Sequence, residues 1–203
     1  MKKLKKIQKI IGLLIIAIIL VIIVYGILII IPNKKNAKDI SESIKYGYTL
    51  YKRDIKLYKD TFEKLRSVLE KDTINYNEYA KYVSELFIID FYTLNNKISK
   101  NDIGGIQFIH EDLKDNFIQK ASDTVYKYIN SESVKNELPE VSTIKSSVKE
   151  GKYKISDIEY DSYIVELNWD YIKDYGYEKN GIVTLVKVDD ELFIVEKDNS
   201  NEK

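Results

Sequence analysis

One carboxylate, Asp90, sits in the middle of the nearly unbroken apolar run SELFIIDFYTLNN, residues 84–96. A carboxyl group in such surroundings can do two kinds of chemistry. Burial raises its pKa and suits it to general acid or base work; alternatively it stays ionised and accepts hydrogen bonds from buried hydroxyls, amides or backbone N–H groups. Perturbed carboxylates have structural causes more often than catalytic ones, so the second role is expected. On that reading Asp90→Asn should cost about 1–3 kcal/mol through unsatisfied donors. His110, the one histidine, lies between GGIQFI and EDLKDNF, where a helix should start. A dyad with Asp90 is conceivable, but nothing in the spacing demands it, and a surface or capping role is expected. Trp169, with Tyr163 and Tyr171, would line a concave sheet face, as core or as the wall of a ligand site. Asp90, Tyr92, His110 and Trp169 thus make up the candidate polar pocket.

Other chemistry is excluded by what the chain lacks. Zero cysteines rule out thiolate metal sites and a cysteine nucleophile, and one histidine is too few for a zinc site of three or four ligands. DIGG, residues 102–105, lacks the Gly-x-Gly-x-x-Gly or Lys-Ser/Thr pattern of a phosphate loop and reads as a turn needing positive φ. No Gly-x-Ser-x-Gly elbow occurs, and the HED of residues 110–112 has no second histidine. The acidic DIEYDSY reads as a solvated strand face and not as a calcium loop. No cofactor is expected, and the balance of residue types leans away from an enzyme.

The 203 residues divide sharply. Residues 10–31, IIGLLIIAIILVIIVYGILIII, carry no charge, and as a helix at about 1.5 Å per residue would reach roughly 33 Å, enough to span a bilayer. The run is too long for the apolar part of a signal peptide and lacks an Ala-x-Ala-like cleavage site. It is expected to be an uncleaved single-pass anchor. Lys2, Lys3, Lys5, Lys6 and Lys9 on its N-terminal side outweigh Lys34, Lys35 and Lys38 on the other, which predicts a cytoplasmic N-terminus and an extracytoplasmic remainder. Beyond the five N-terminal lysines, 27 basic residues face 32 acidic ones, which argues against nucleic acid as a partner. The expected layout is a basic tail at 1–9, the anchor at 10–31, a short polar linker at 32–43, a domain at 44–198 and a polar tail at 199–203.

The elements that must position the candidate residues follow from periodicity. IKYGYTL (44–50) alternates like a short strand. Leu57, Tyr58, Phe62, Leu65 and Leu69 form a helical stripe with Asp54 available as N-cap. Residues 75–95 predict a helix apolar nearly all round, hence central, with Asn95 and Asn96 suited to its C-terminal cap. Leu113, Phe117, Ala121 and Val125 restore helical spacing over 111–129. From about 139 the period becomes two, in segments at 142–160, 161–172, 180–188 and 191–197, the last two joined by a hairpin turned at Asp189-Asp190. Helices first and an antiparallel meander after them predict an α+β domain with helices on one face of a curved sheet.

This layout, over about residues 44–197, resembles the cone-shaped roll of the nuclear transport factor, ketosteroid isomerase and scytalone dehydratase superfamily. The likeness rests on element order and on GIVTLVKVDDELFIVEK, which is similar to that fold's closing strand pair. Single-pass versions of the roll also resemble bridging subunits of type IV secretion and conjugation machines. FIIDFYTLNNKISKNDIGGIQF is similar to stretches of single-pass membrane proteins from low-GC Gram-positive bacteria, a likeness that carries no function with it. Three roles are therefore expected in turn. The first is a membrane-anchored binding domain of the bacterial cell envelope, acting on a protein partner or as a homo-oligomer. The second is an assembly subunit of a secretion machine. The third is a small-molecule-binding or lyase/isomerase-type enzyme using Asp90.

Overall fold

The computed structural model describes residues 39–129 and 137–198. The apolar run at 10–31, the basic tail at 1–9, most of the stretch at 32–43 and the tail at 199–203 lie outside the described residues. Among the described residues no helix is long and apolar enough to cross a membrane.

The segment expected as one strand at 44–50 is the second half of a hairpin. Strand β1 (Ile40–Ser43) pairs antiparallel with β2 (Thr49–Tyr51), and the chain reverses through a 3-10 turn at Lys45–Gly47. Tyr46 (φ 63°) and Gly47 (φ 77°) both adopt positive φ there, which breaks the extended run. β1 accordingly occupies residues assigned to the linker.

Helix α1 (Lys56–Leu69) follows the predicted stripe and buries Tyr58, Phe62, Leu65, Val68 and Leu69. Its N-cap is Ile55, not Asp54. The Asp54 carboxylate accepts the Tyr51 N–H at 2.7 Å instead, and so fixes the turn from β2 into the helix. Helix α2 (Tyr76–Tyr92) starts at Asn75, whose side chain accepts the Glu78 N–H at 3.1 Å, and is buried on nearly every side, as its composition predicts. It stops three residues short of Asn95. Thr93 turns extended, and the Leu94 and Asn95 N–H groups reach the Pro139 carbonyl at 2.9 and 3.3 Å, so the cap goes to the strand entry and not to the asparagines. The predicted helix at 111–129 is shortened in the same way. Its α-helical part, α3, runs Lys114–Asp123, after a 3-10 turn at Glu111–Leu113.

Four strands complete the molecule: β3 (Val141–Ile155), β4 (Ile158–Tyr171), β5 (Asn180–Val188) and β6 (Glu191–Asp198), antiparallel in the order β3-β4-β5-β6. The first predicted strand segment, 142–160, contains a hairpin, turned at Ser156 (φ 54°). The β5–β6 turn falls at Asp189 (φ 53°) and Asp190 as expected, because aspartate tolerates the left-handed region better than most residues. The fold is therefore α+β. Alternate residues of β4, from Tyr163 to Tyr171, face inward with Val183, Leu185, Leu192 and Ile194, and join one core with α1 and α2. Each large apolar side chain buried there contributes about 1.5–3 kcal/mol. The sheet curves enough for Tyr153, near the tip of the β3–β4 hairpin, and Val195 of β6 to border one groove.

Candidate functional site

Asp90 lies in the last full turns of α2, pointing into the loop that follows, and both of its carboxylate oxygens are occupied. Oδ1 takes the Lys97 ammonium, which is 1% exposed, and Oδ2 accepts the Gly105 N–H at 2.7 Å. The DIGG stretch makes this possible. Gly105 has φ +77°, and a Cβ on it would stand 2.5 Å from the Phe87 ring. Gly104 needs no positive φ but packs so tightly that a Cβ would fall 2.2 Å from the Asp90 carbonyl oxygen. The Tyr126 hydroxyl closes the loop from below: it accepts the Gly104 N–H at 2.9 Å and donates to the Phe91 carbonyl at 2.7 Å.

Around this centre stands a set of buried and half-buried charges. Arg53 grips Asp102 through two nitrogens, and Asp102 also accepts the Ile98 N–H at 3.1 Å. Asp54, 7% exposed, sits close enough to Asp90 to feel its charge. Burial raises the Asp54 pKa to about 6; the Tyr51 N–H opposes the rise and Asp90 adds to it. Tyr51, Asp90, Ile106, Gln107 and Lys114 border an open pocket of about 280 Å³. The Gln107 amide is itself committed, accepting from the Thr49 N–H at 2.8 Å and donating to the Tyr58 hydroxyl at 2.8 Å.

A pH dependence follows. The folded-state pKa of Asp54 lies above its ordinary value of 3.8, so the folded chain holds that proton more tightly than the unfolded one. The resulting stability is fully present below about pH 4 and is lost as pH rises through about 6. Between pH 4 and pH 7 the wild type should lose about 2–3 kcal/mol relative to Asp54→Asn, at about 1.4 kcal/mol per pKa unit. Urea denaturation at both pH values measures that gap, and a gap that does not change with pH refutes the assignment.

The other three candidates are placed apart from this centre. Tyr92 stacks on Trp169, ring centroids 5.0 Å apart at 30°, and donates to the Glu178 carboxylate. Burial and Glu178 together push the Tyr92 hydroxyl far above its usual pKa. Trp169 donates to the Tyr171 hydroxyl at 2.9 Å, and Tyr171 donates to the Glu178 carbonyl at 2.6 Å. His110 lies at the β6 edge: its N–H bonds the Ile194 carbonyl at 3.0 Å, its ring meets Phe193 edge-on at 5.6 Å, and Nδ1 is 3.7 Å from Asp112. It borders a different groove, beside Tyr153 and Val195. The structure thus joins Tyr92 to Trp169, and leaves Asp90 and His110 in separate surroundings. Among the described residues no cluster of three His, Asp or Glu side chains is placed to hold a metal ion.

Sequence reasoning missed Arg53, Asp54 and Lys97 as members of the Asp90 centre. Asp54 resembled a cap, and Lys97 lay in a loop, seven residues from Asp90, where no local period ties them. It also missed the pair formed by the Tyr48 and Tyr79 hydroxyls, 2.6 Å apart in the core. No protein-family model, curated protein or solved structure matches the chain.

Proposed function

We propose that the chain is a single-pass membrane protein of the bacterial cell envelope whose extracytoplasmic α+β domain acts by binding a protein partner and not by catalysis. The observation that carries this reading is the filling of the sheet's inner face. Trp169, 2% exposed, lies under Tyr92, with Leu167, Val183 and Leu185 buried alongside, where an enzyme built on a cone-shaped roll needs room for a substrate. Element order, helices before a strongly curved four-stranded meander, supports the likeness to that roll. The apolar run at 10–31 and the lysines before it support the anchor and its orientation.

The pocket beside Asp90 favours a second reading, an acid–base enzyme. Against it, both Asp90 oxygens are already engaged, one by the buried Lys97 ammonium and the other by the Gly105 N–H. Membrane topology is tested by adding protease to intact protoplasts. The chain beyond about residue 40 should be degraded while the N-terminal tail is spared. Survival of the C-terminal part overturns both orientation and localisation.

A further inference from the structure

The two edges of the four-stranded sheet are treated differently. β6 is covered at its centre, where Ile109 bridges Ile194 in parallel and the His110 N–H bonds the Ile194 carbonyl. β3 is open: among the described residues no strand pairs with its outer side. The register identifies the exposed groups. The Trp169 N–H bonds the Lys179 carbonyl, on the β5 side, so odd-numbered β4 residues bond β5 and even-numbered ones bond β3. Lys145, Ser147 and Lys149 are therefore tied to β4, whereas Ile144, Ser146 and Val148 turn their N–H and C=O groups outward.

Beside these outward groups α1, α2 and β3 enclose a groove of about 290 Å³, with Leu57, Tyr82 and Ile144 as its apolar lining and Lys64, Lys81 and Lys145 around it. Among the described residues none of these three lysines has a carboxylate within salt-bridge distance. Further along the same strand, Lys149, Lys152 and Lys154 are each answered by an acid of the hairpin, namely Glu166, Asp161 and Asp157. Glu85, bonded by the Ser146 hydroxyl at 2.6 Å, offsets one charge in the groove and leaves positive charge in excess.

We propose that this edge and groove take up an extended acidic segment of a partner protein, which adds to β3 as a fifth strand and sets its carboxylates against Lys64, Lys81 and Lys145. The proposal rests on the reading of the domain as a binding module and names the surface it uses. Main-chain bonds to an open edge supply affinity in such pairing, and the flanking side chains supply selectivity. A second copy of the chain fits poorly, because antiparallel pairing of two β3 strands sets one lysine-rich edge against another.

The test uses the full-length chain in detergent micelles and the blocked peptide Glu-Val-Glu-Val-Glu-Val-Glu. At saturation, deuterium exchange at the Ile144, Ser146 and Val148 amides should slow about tenfold or more. Reversing all three charges (Lys64→Glu, Lys81→Glu, Lys145→Glu) should weaken binding about tenfold or more, and high salt should mimic the loss. Ser146→Pro removes one outward N–H without touching the ladder to β4 and should abolish binding. A far-UV circular dichroism spectrum of Ser146→Pro that matches the wild type shows that the fold is intact. No slowing at those three amides, protection on another surface, or equal binding of a Lys-Val peptide overturns the proposal. Those results leave the binding reading standing; it falls on a stabilising Asp90→Asn.

Discussion

Asp90→Asn should destabilise the protein by about 3–5 kcal/mol, the usual cost of removing one partner from a buried ion pair. This exceeds the 1–3 kcal/mol expected for a neutral hydrogen bond because the group left behind is Lys97, 1% exposed. Asparagine keeps an oxygen for the Gly105 N–H or for the ammonium but brings no charge to balance the latter. Among the described residues no other carboxylate stands within salt-bridge distance of Lys97. A double substitution, Asp90→Asn with Lys97→Met, should recover a large part of the loss, since it removes the stranded charge along with its partner. Denaturation of the four forms at pH 7 measures the coupling. A single Asp90→Asn variant as stable as the wild type, or more stable, would sink the structural role and point to a strained catalytic acid.

Gly104→Ala should cost about 3 kcal/mol or more, at the upper end of what overpacking usually does. The atom in the way is the Asp90 carbonyl oxygen, 2.2 Å from the added Cβ, with the Asp90 carboxyl carbon at 2.8 Å. Neither can yield without moving the end of α2 or the ion pair with Lys97. Gly176→Ala is the control. Gly176 has φ +80° but open space around it, so alanine there should cost only the left-handed strain of about 1–2 kcal/mol. Urea midpoints rank the two, and a Gly104→Ala variant no worse than Gly176→Ala would show that the loop is looser than its packing implies.

The run of strands and the last hairpin were legible in the sequence because their signals are local, although the turn at Ser156 was read through as strand. Alternation in VTLVKV and the Asp189-Asp190 turn need only neighbouring residues, and the stripe from Leu57 to Leu69 needs only helical period. Boundaries failed where distant groups decide them. α2 ends at Tyr92 because Pro139 offers its carbonyl to Leu94, and nothing near residue 92 announces that partner. α3 stops at Asp123, and Tyr126 beyond it reaches Gly104 and Phe91. The candidate site was half visible for the same reason. A charge among apolar residues drew attention to Asp90, and two adjacent glycines marked a tight turn. That the turn folds back onto that very carboxylate, carrying Lys97 with it, is tertiary information.

The cover over β6 has a consequence for solubility at high local concentration. Strand-on-strand growth into fibres needs two free sides, one to receive a neighbour and one to offer to the next. Ile109 and His110 obstruct one side of this sheet, so edge pairing ends after a single addition. Even where many copies are crowded together, the domain can therefore leave one strand edge open without assembling into open-ended ribbons.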